Sequence, residues 1–145
     1  MHATVRSVIE AHSDAPEDVC ILDTEASPEH LSRGTAQYAE TMLVVVEPYY
    51  KSLETGRRMS LLGKDLGIQR VALVANKLRD ERDRAAVEEF ARANDLEIAG
   101  SVPFDDGMPD AERAGAAPLD HDPDTAAVAA IGKLAHSLWS GDGRA

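Results

Sequence analysis

An α/β fold with a mostly parallel sheet flanked by helices is what this sequence predicts. Short apolar runs alternate along the chain with longer stretches of helical spacing, and this alternation is typical of βαβ units. The clearest run, TMLVVVE at 41–47, is rich in β-branched residues and lacks polar alternation, as in a strand that is buried on both faces. Polar residues follow each run, so the strands are expected to present them along one edge of the sheet.

Apolar spacing and turn residues place the individual elements. Strands are predicted at about 18–23, 41–47, 71–76 and 96–102. Helices are predicted at 2–12, 28–38, 52–66, 80–94, 106–114 and 125–139, and Pro118–Pro123 is predicted to be a loop. Gly67 is expected just past the end of the helix at 52–66. Within 80–94 the residues expected to face inward are Ala86, Val87, Phe90 and Ala91.

The composition is ordinary for a globular protein and excludes several classes of function. The 145 residues fit one domain, predicted over 1–139 with 140–145 as a frayed tail. The formal net charge of −11 disfavours a nucleic-acid or anionic membrane surface. No apolar run approaches the roughly 18 residues of a membrane-spanning helix. The single cysteine, Cys20, excludes a disulfide framework and is predicted to be buried in the first strand, so a reducing cytoplasm is the expected location.

The strand ends form the candidate site. They carry Asp23-Thr24-Glu25, Glu47-Pro48, Asn76-Lys77 and Pro103-Phe104-Asp105-Asp106. Ligands of parallel sheets bind at the carboxyl ends of the strands, where a carboxylate such as Asp23 can meet a metal ion or a phosphate-bound water. A structural alternative stands beside each role, because Asp23 can cap a turn, Asn76 can cap a loop and Lys77 can be merely solvated.

Four stretches carry a family resemblance: DTEASPEHLSRGT at 23–35, LVVVEPYYKSLETGRRMSLLGKDLGI at 43–68, VANK at 74–77 and VPFDD at 102–106. The chain resembles the CooC-type nickel-insertion ATPases that mature carbon monoxide dehydrogenase. These belong to the larger MinD, ParA and nitrogenase iron-protein class of P-loop ATPases. The resemblance runs from about Asp18 to Leu138, and the first two stretches are the more specific ones.

The resemblance implies roles for particular residues, with ATP and Mg²⁺ as cofactors. Asp23 would be the switch II aspartate that holds Mg²⁺ through water, and Asp23 and Glu25 are the candidate catalytic residues. The switch that senses the terminal phosphate would be formed by Thr24, Glu25, Ala26 and Ser27. Asn76, beside Lys77, would hydrogen-bond the edge of adenine. The backbone from Pro103 through Phe104 to Asp105 would close over the base.

The chain departs from the family pattern at the phosphate site. Ser27 stands where the family usually has glycine, and a serine restricts the backbone there. No G-x-x-x-x-G-K-[ST] occurs in the 145 residues, since Gly63-Lys64 is followed by Asp65 inside a predicted helix. The metal-binding Cys-x-Cys of the subgroup is also missing. The resemblance therefore covers the part of such an ATPase that is C-terminal to the P-loop.

Two functional hypotheses follow from this pattern. In the first, the chain is the switch II and adenine-binding part of an ATPase, truncated or encoded apart from its P-loop part and inactive alone. A P-loop-bearing chain or self-association would complete it, and its client would be a metalloenzyme. In the second, it is a non-catalytic α/β interaction module. A phospho-acceptor receiver domain is a weaker relative of the second, because the acidic pair expected after its first strand is lacking.

The missing strand predicts a gap in the sheet. In the family that the chain resembles, the P-loop strand lies between the switch II strand and the strand that follows it, here 19–23 and 42–47. We expect this slot to stay open, with Val19–Asp23 loosely attached. A groove lined by Ile21, Val44 and Val46 would then favour self-association or partner binding.

Overall fold

One parallel sheet, with strand order β1-β2-β3, organises the part of the chain that the structure describes. The computed structural model describes residues 19–24 and 39–140. The strands are β1 (Thr41–Val46), β2 (Arg70–Leu78) and β3 (Glu97–Pro103). The β1–β2 ladder keeps one register throughout, whereas the β2–β3 ladder shifts twice. The predicted α/β class with a mostly parallel sheet is confirmed.

Helices follow each strand and close the chain. They are α1 (Tyr50–Asp65), α2 (Glu81–Ala93), α3 (Gly107–Ala114), α4 (Pro118–His121) and α5 (Ala126–Trp139). Gly67 has a φ of 81° just after α1, as predicted for a residue past a helix end. The prediction of a loop at 118–123 is wrong, because α4 forms one helical turn there. Pro118 is its first residue, and its fixed φ suits that position.

The helices cover the sheet in two layers. On one face, α1 and α2 pack on alternate strand residues in a core of Val44, Val46, Leu53, Met59, Ile68, Val71, Leu73, Ala75, Leu78, Val87 and Ala91. On the other face, α5 brings Ala127 against Val74 and Val102, with Leu134 half-buried beside them. Both faces of β2 are therefore covered, which explains its nearly continuous apolar sequence.

The inward face of α2 is narrower than predicted. Val87 and Ala91 are buried and Phe90 is half-buried, but Ala86 is exposed. Successive helical residues are rotated by about 100°, so Ala86 lies beside the buried stripe and not on it.

The prediction of a first strand at 18–23 is wrong for the described residues 19–24. These residues have no regular secondary structure and all of them are exposed, Ile21 to 86%. Cys20, predicted to be buried, is exposed as well. A strand exists through its ladder hydrogen bonds, and this apolar run has no ladder partner in the described part of the chain. The predicted helices at 2–12 and 28–38 lie outside the described residues.

Two glycines let α1 lie close against the sheet. A Cβ atom on Gly56 would collide with Cγ1 of Val46, and one on Gly63 would lie 2.7 Å from the Met42 sulfur. Ser60, also buried on this side of α1, donates its hydroxyl proton to the Gly56 carbonyl at 2.8 Å. The closely packed face of β1 is therefore the one under α1.

Candidate functional site

An ion pair joins the carboxyl ends of β1 and β2. Lys77 Nζ donates to Glu47 Oε1 at 2.8 Å, and this hydrogen bond raises the pKa of Lys77 above its usual value. The Glu47 N–H donates to the Ser52 hydroxyl at 2.9 Å, which ties the end of β1 to the first turn of α1. The Lys77 side chain is thus paired with Glu47 and is not merely solvated.

Asn76 and Lys77 lie inside β2, at a break in its ladder, and not at the strand's end as predicted. The β2–β3 register shifts between Ala75 and Leu78, and Lys77 adopts a φ of 57° in the left-handed region. The Asn76 Oδ1 accepts from the Lys77 N–H at 3.0 Å. Non-glycine residues rarely adopt this conformation, and they tend to cluster at functional sites. The kink sets the half-buried Asn76 at the sheet edge with its amide group fixed.

Asp105 is tied into the turn that follows β3. Its Oδ1 accepts from the Gly107 N–H at 2.9 Å, and its Oδ2 accepts from the Ala127 N–H at 3.0 Å. The hydrogen bond from Ala127, followed by that from Gly107, lowers the pKa of Asp105. One carboxylate thus joins the starts of α3 and α5, so it positions the Pro103–Asp105 segment.

Phe104 is held between β2 and β3. Its N–H donates to the Leu78 carbonyl at 2.8 Å, and the Arg79 guanidinium carbon lies 3.7 Å from its ring centroid. A guanidinium over an aromatic face is a favourable cation–π geometry. Arg79 carries no sequence signal of its own beyond its position two residues after Lys77.

The hydrogen-bond donors and acceptors at this edge of the sheet suit a planar base. Adenine presents both an amino donor and ring-nitrogen acceptors, and the Asn76 amide carries both functions. Its Nδ2 makes no hydrogen bond within residues 19–24 and 39–140, and its Oδ1 keeps a second lone pair. The structure therefore places the predicted Asn76 and Lys77 in the last part of the β2 ladder, next to the end of β3 where Pro103, Phe104 and Asp105 lie.

Of the predicted phosphate-side residues Asp23, Glu25 and Ser27, Asp23 alone falls within the described ranges, and it is not part of this arrangement. Asp23 lies in the exposed irregular segment 19–24. Glu25 and Ser27 fall outside the described residues. No group of three or more His, Cys, Asp or Glu side chains suited to a metal occurs in the described ranges. Mg²⁺ at phosphate sites takes one or two carboxylates plus phosphate oxygens and water, so a lone Asp23 is compatible with that chemistry.

The outer edge of β1 is open within residues 39–140. A groove of about 300 Å³ runs between this edge and the first half of α1, lined by Val44, Val45, Tyr49, Lys51, Ser52, Thr55, Gly56 and Met59. Among the described residues no ladder joins 19–24 to β1, and the open slot stays a prediction. The predicted lining is corrected. Ile21 is not a lining residue, and Val46 is buried beneath α1 while Val45 takes its place.

The SLETGRR stretch, one of the specific parts of the resemblance, forms a helix-surface ion cluster. Glu54 accepts from Arg57 at 2.8 Å and from Arg58 at 3.0 Å. These two hydrogen bonds, that from Arg57 first, lower the pKa of Glu54 to about 2. All three residues lie on α1, so the cluster supports the helix and does not reach the strand ends.

Comparison with known proteins agrees with this geometry. No family model matches the chain. The chain is 33% identical to the carbon monoxide dehydrogenase accessory protein CooC of Rhodospirillum rubrum, over 84% of this chain and 46% of that protein. It is 40% identical to an uncharacterised ATP-binding protein of Methanocaldococcus jannaschii, over 62% of this chain and 35% of that protein. The MinD cell division protein of Aquifex aeolicus shares its fold with a TM-score of 0.81 and 22% identity, covering 97% of this chain and 61% of MinD.

The three parallel strands and flanking helices of the described residues match part of the MinD/ParA-type P-loop NTPase fold, and the sequence similarity to CooC relates the chain to that class. The chain spans less than half the length of the curated relatives that it matches. Within the class it is close to CooC, as the four sequence stretches predicted. No helix in the described ranges has the length and apolar character needed to cross a membrane.

Proposed function

We propose that the chain is the switch II and adenine-binding part of a CooC- or MinD-like ATP-binding protein. The observation that carries the proposal is that the kinked part of β2 with Asn76 and Lys77 lies beside the Pro103–Asp105 turn, through the pairing of Leu78 with Pro103 and Phe104. The kink in β2 fixes the Asn76 amide, and Asp105 fixes the turn that would close over the base. The relation to CooC supports assigning the nucleotide as ATP and the wider role as nickel insertion into a client metalloenzyme.

Each residue has a separate task in this proposal. Asn76 would hydrogen-bond the adenine edge, and the backbone of Pro103 and Phe104 would cover the base. Asp105 would position that backbone. Asp23, with Glu25 and Ser27, would meet the phosphates and Mg²⁺ once the phosphate-binding half of the site is supplied. Bound Mg²⁺ would neutralise phosphate charge during hydrolysis.

The chain alone is expected to be inactive. A P-loop provides the amide cradle and the lysine that balance the β- and γ-phosphates, and this sequence has neither. A P-loop-bearing chain would supply them, and the open edge of β1 is where its strand would pair. We therefore expect no appreciable ATP hydrolysis and at most weak nucleotide affinity from the isolated chain. Isothermal titration with Mg-ATP measures this directly, and micromolar or tighter binding would contradict it.

The base-binding role is tested by ¹⁵N NMR titration with Mg-ATP at millimolar concentration. Amide shifts should concentrate at residues 76–79 and 103–107, and Mg-GTP should produce smaller shifts there. Asn76→Leu should remove the difference between the two nucleotides. Asn94→Leu, at the far end of α2, is the matched control and should retain it. Absence of shifts in these segments, or equal shifts with both nucleotides, would contradict the proposal.

Asp23 can be tested once a P-loop-bearing partner restores hydrolysis. Asp23→Asn keeps the shape of the side chain and removes the charge that orients magnesium-bound water. Most turnover should be lost while the circular dichroism spectrum stays unchanged. Unchanged turnover would show that Asp23 has no part in the reaction.

A second candidate function is a non-catalytic α/β interaction module. The exposed apolar residues of segment 19–24 favour it, because they are available for contacts with a partner. The nucleotide titration separates the two functions, since a pure interaction module would give no adenine-dependent shifts.

A further inference from the structure

We propose that Glu47 is a positioning residue for base recognition, and that it acts through Lys77 on the orientation of the Asn76 side chain. The inference rests on the proposed function, in which Asn76 reads the edge of adenine, and it adds what holds that amide in place. A continuous set of hydrogen bonds leads from the first turn of α1 through Glu47 and Lys77 to Asn76.

Lys77 has a backbone conformation that is unusual for its residue type and place. In the described ranges two non-glycine residues have a positive φ, Lys77 at 57° and Asp95 at 52°. Asp95 follows the end of α2, where a left-handed residue commonly ends a helix, and aspartate adopts this conformation more readily than most residues. Lys77 has neither explanation, because it lies inside a strand and carries a long side chain. A contact made by Lys77 must therefore offset the cost of this conformation.

The ladder hydrogen bonds constrain this part of β2 less than the rest. Between its paired residues Ala75 and Leu78, β2 uses one residue more than β3 does. An extra residue of this kind interrupts the ladder and redirects the side chains beside it, as in a β-bulge. The last β1–β2 pair joins Val46 to Ala75, so residues 76 and 77 have no ladder pair with β1 among the described strands. Side-chain contacts therefore have more influence on the backbone of residues 76 and 77.

Glu47 is placed to supply the contact that Lys77 needs. As the first residue after β1, it lies level with Asn76 on the neighbouring strand. Its N–H donates to the Ser52 hydroxyl at 2.9 Å, which fixes the Glu47 backbone against α1. Its Oε1 accepts from Lys77 Nζ at 2.8 Å. The ion pair therefore anchors Lys77 to the end of β1 at the position where its backbone has no ladder pair with that strand.

The conformation of Lys77 in turn sets the direction of the Asn76 amide. The Asn76 Oδ1 accepts from the Lys77 N–H at 3.0 Å. This N–H lies in the rigid peptide plane that precedes Lys77, and the φ of Lys77 relates that plane to the rest of the residue. If Lys77 became extended, its N–H would turn and Asn76 would lose the bond that orients its amide. Adenine and guanine differ in the donors and acceptors that they present, so loss of this order should weaken the preference for adenine.

The exposure of the ion pair separates this role from general stability. The Lys77 side chain is 54% exposed and that of Glu47 is 34% exposed, and exposed ion pairs contribute little to the free energy of unfolding. Arg70 and Glu97 form a comparable ion pair between β2 and β3 at the amino ends of these strands, and neither residue has a positive φ. Glu97→Gln is therefore the matched control for Glu47→Gln, because both remove one negative charge and one inter-strand ion pair.

The conformational part is tested by NMR of the full chain without nucleotide. The coupling between the amide proton and Hα of Lys77, with its ¹³Cα and ¹³Cβ shifts, reports the φ of that residue. These values should indicate the left-handed conformation in the wild type and in Glu97→Gln, and should move towards extended values in Glu47→Gln. The melting temperatures of both variants should stay close to that of the wild type. A Glu47→Gln protein in which Lys77 keeps its left-handed values would overturn the proposal.

The recognition part is tested by titrating both variants with Mg-ATP and Mg-GTP. The readout is the ratio of the two apparent Kd values, because loss of a negative charge changes the affinity for both triphosphates alike. Glu47→Gln should reduce this ratio by about two- to fivefold, the effect of one exposed ion pair, and Glu97→Gln should keep it. In a Lys77→Gly background, Glu47→Gln should have no further effect, since glycine adopts a positive φ without help.

The outcomes distinguish the positioning role from the proposed function. A wild type that does not discriminate between the two nucleotides would contradict both. A wild-type preference for Mg-ATP that Glu47→Gln retains would overturn the positioning role alone and leave Asn76 as the base contact. Equal losses in Glu47→Gln and Glu97→Gln would assign the effect to charge and overturn the positioning role as well. A further loss on adding Glu47→Gln to Lys77→Gly would show that Glu47 does not act through Lys77, which would also contradict it.

Discussion

The carboxyl ends of β2 and β3 differ from the outer edge of β1 in how far neighbouring elements cover them. Where β2 and β3 end, Lys77, Arg79 and Asp105 each contact a neighbouring element, and no buried side-chain polar atom of the described residues lacks a hydrogen bond. At the opposite side, β1 presents an open edge, and the apolar residues of segment 19–24 are exposed. Segment 19–24 has the apolar composition of a strand, so its exposure reflects the lack of a neighbouring strand among the described residues. Whether a strand is buried depends on the neighbouring segments as much as on its own residues.

The largest effect is expected where β1 is covered by α1. Gly56→Val places a side chain against Val46 in a tightly packed layer and should lower the free energy of unfolding by about 3 kcal/mol. Gly132→Ala in α5, where an added Cβ meets nothing within 4 Å, is the matched control and should raise stability by about 0.5–1 kcal/mol. Urea denaturation measures both. A Gly56→Val protein as stable as the wild type would mean that the covered face of β1 is loosely packed.

Asp105 tests the hydrogen-bonded turn that follows β3. Asp105→Ala frees the N–H groups of Gly107 and Ala127 and should lower the melting temperature by about 5 °C. Because the pKa of Asp105 is lowered in the folded state, its contribution is full above the ordinary aspartate pKa and is lost as the pH falls towards the lowered value. The difference in melting temperature between wild type and variant should therefore be present at pH 7 and should disappear in the acidic range. A constant difference across pH would exclude the carboxylate as the cause.

A smaller loss of stability is expected at Arg79, beside the same turn. Arg79→Ala removes the guanidinium from the Phe104 ring and should cost about 0.5–1 kcal/mol, as for other exposed cation–π pairs. Arg82→Ala, on the exposed side of α2, should change stability by less than about 0.5 kcal/mol. Chemical denaturation of the two variants provides the comparison, and equal losses would show that the ring contact contributes nothing specific.

The smallest effect is expected in the open region. Ile21→Ala should leave the free energy of unfolding within about 0.5 kcal/mol of the wild type, because the side chain is 86% exposed. Leu73→Ala, in the middle of β2 and 1% exposed, is the matched control and should cost at least about 2 kcal/mol. If Ile21→Ala destabilised the chain comparably, segment 19–24 would have to be packed in solution.

Much of the fold could be predicted from local pattern. The β-branched run at 41–47 and the helical spacing from Ser52 identified β1 and α1 to within a few residues, and Gly67 marked the end of α1. These features depend on backbone preferences and on periodicity, which a single sequence contains. The residues expected at the strand ends, Asn76 and Pro103–Asp105, also came together, because parallel strands align their carboxyl ends. Their roles towards a nucleotide stay predictions.

The sequence by itself determined the alternation of strands and helices, the parallel sheet and the relation to the MinD/ParA class. The tertiary structure decided which apolar runs became strands. Val19–Asp23 has the composition of a strand, yet its described residues lack a ladder partner, since backbone hydrogen bonds come from another segment and not from composition. The tertiary structure also decided how Lys77, Arg79 and Asp105 are used. Their partners Glu47, Phe104 and Ala127 lie 22 to 30 residues away along the chain, and folding alone brings them together.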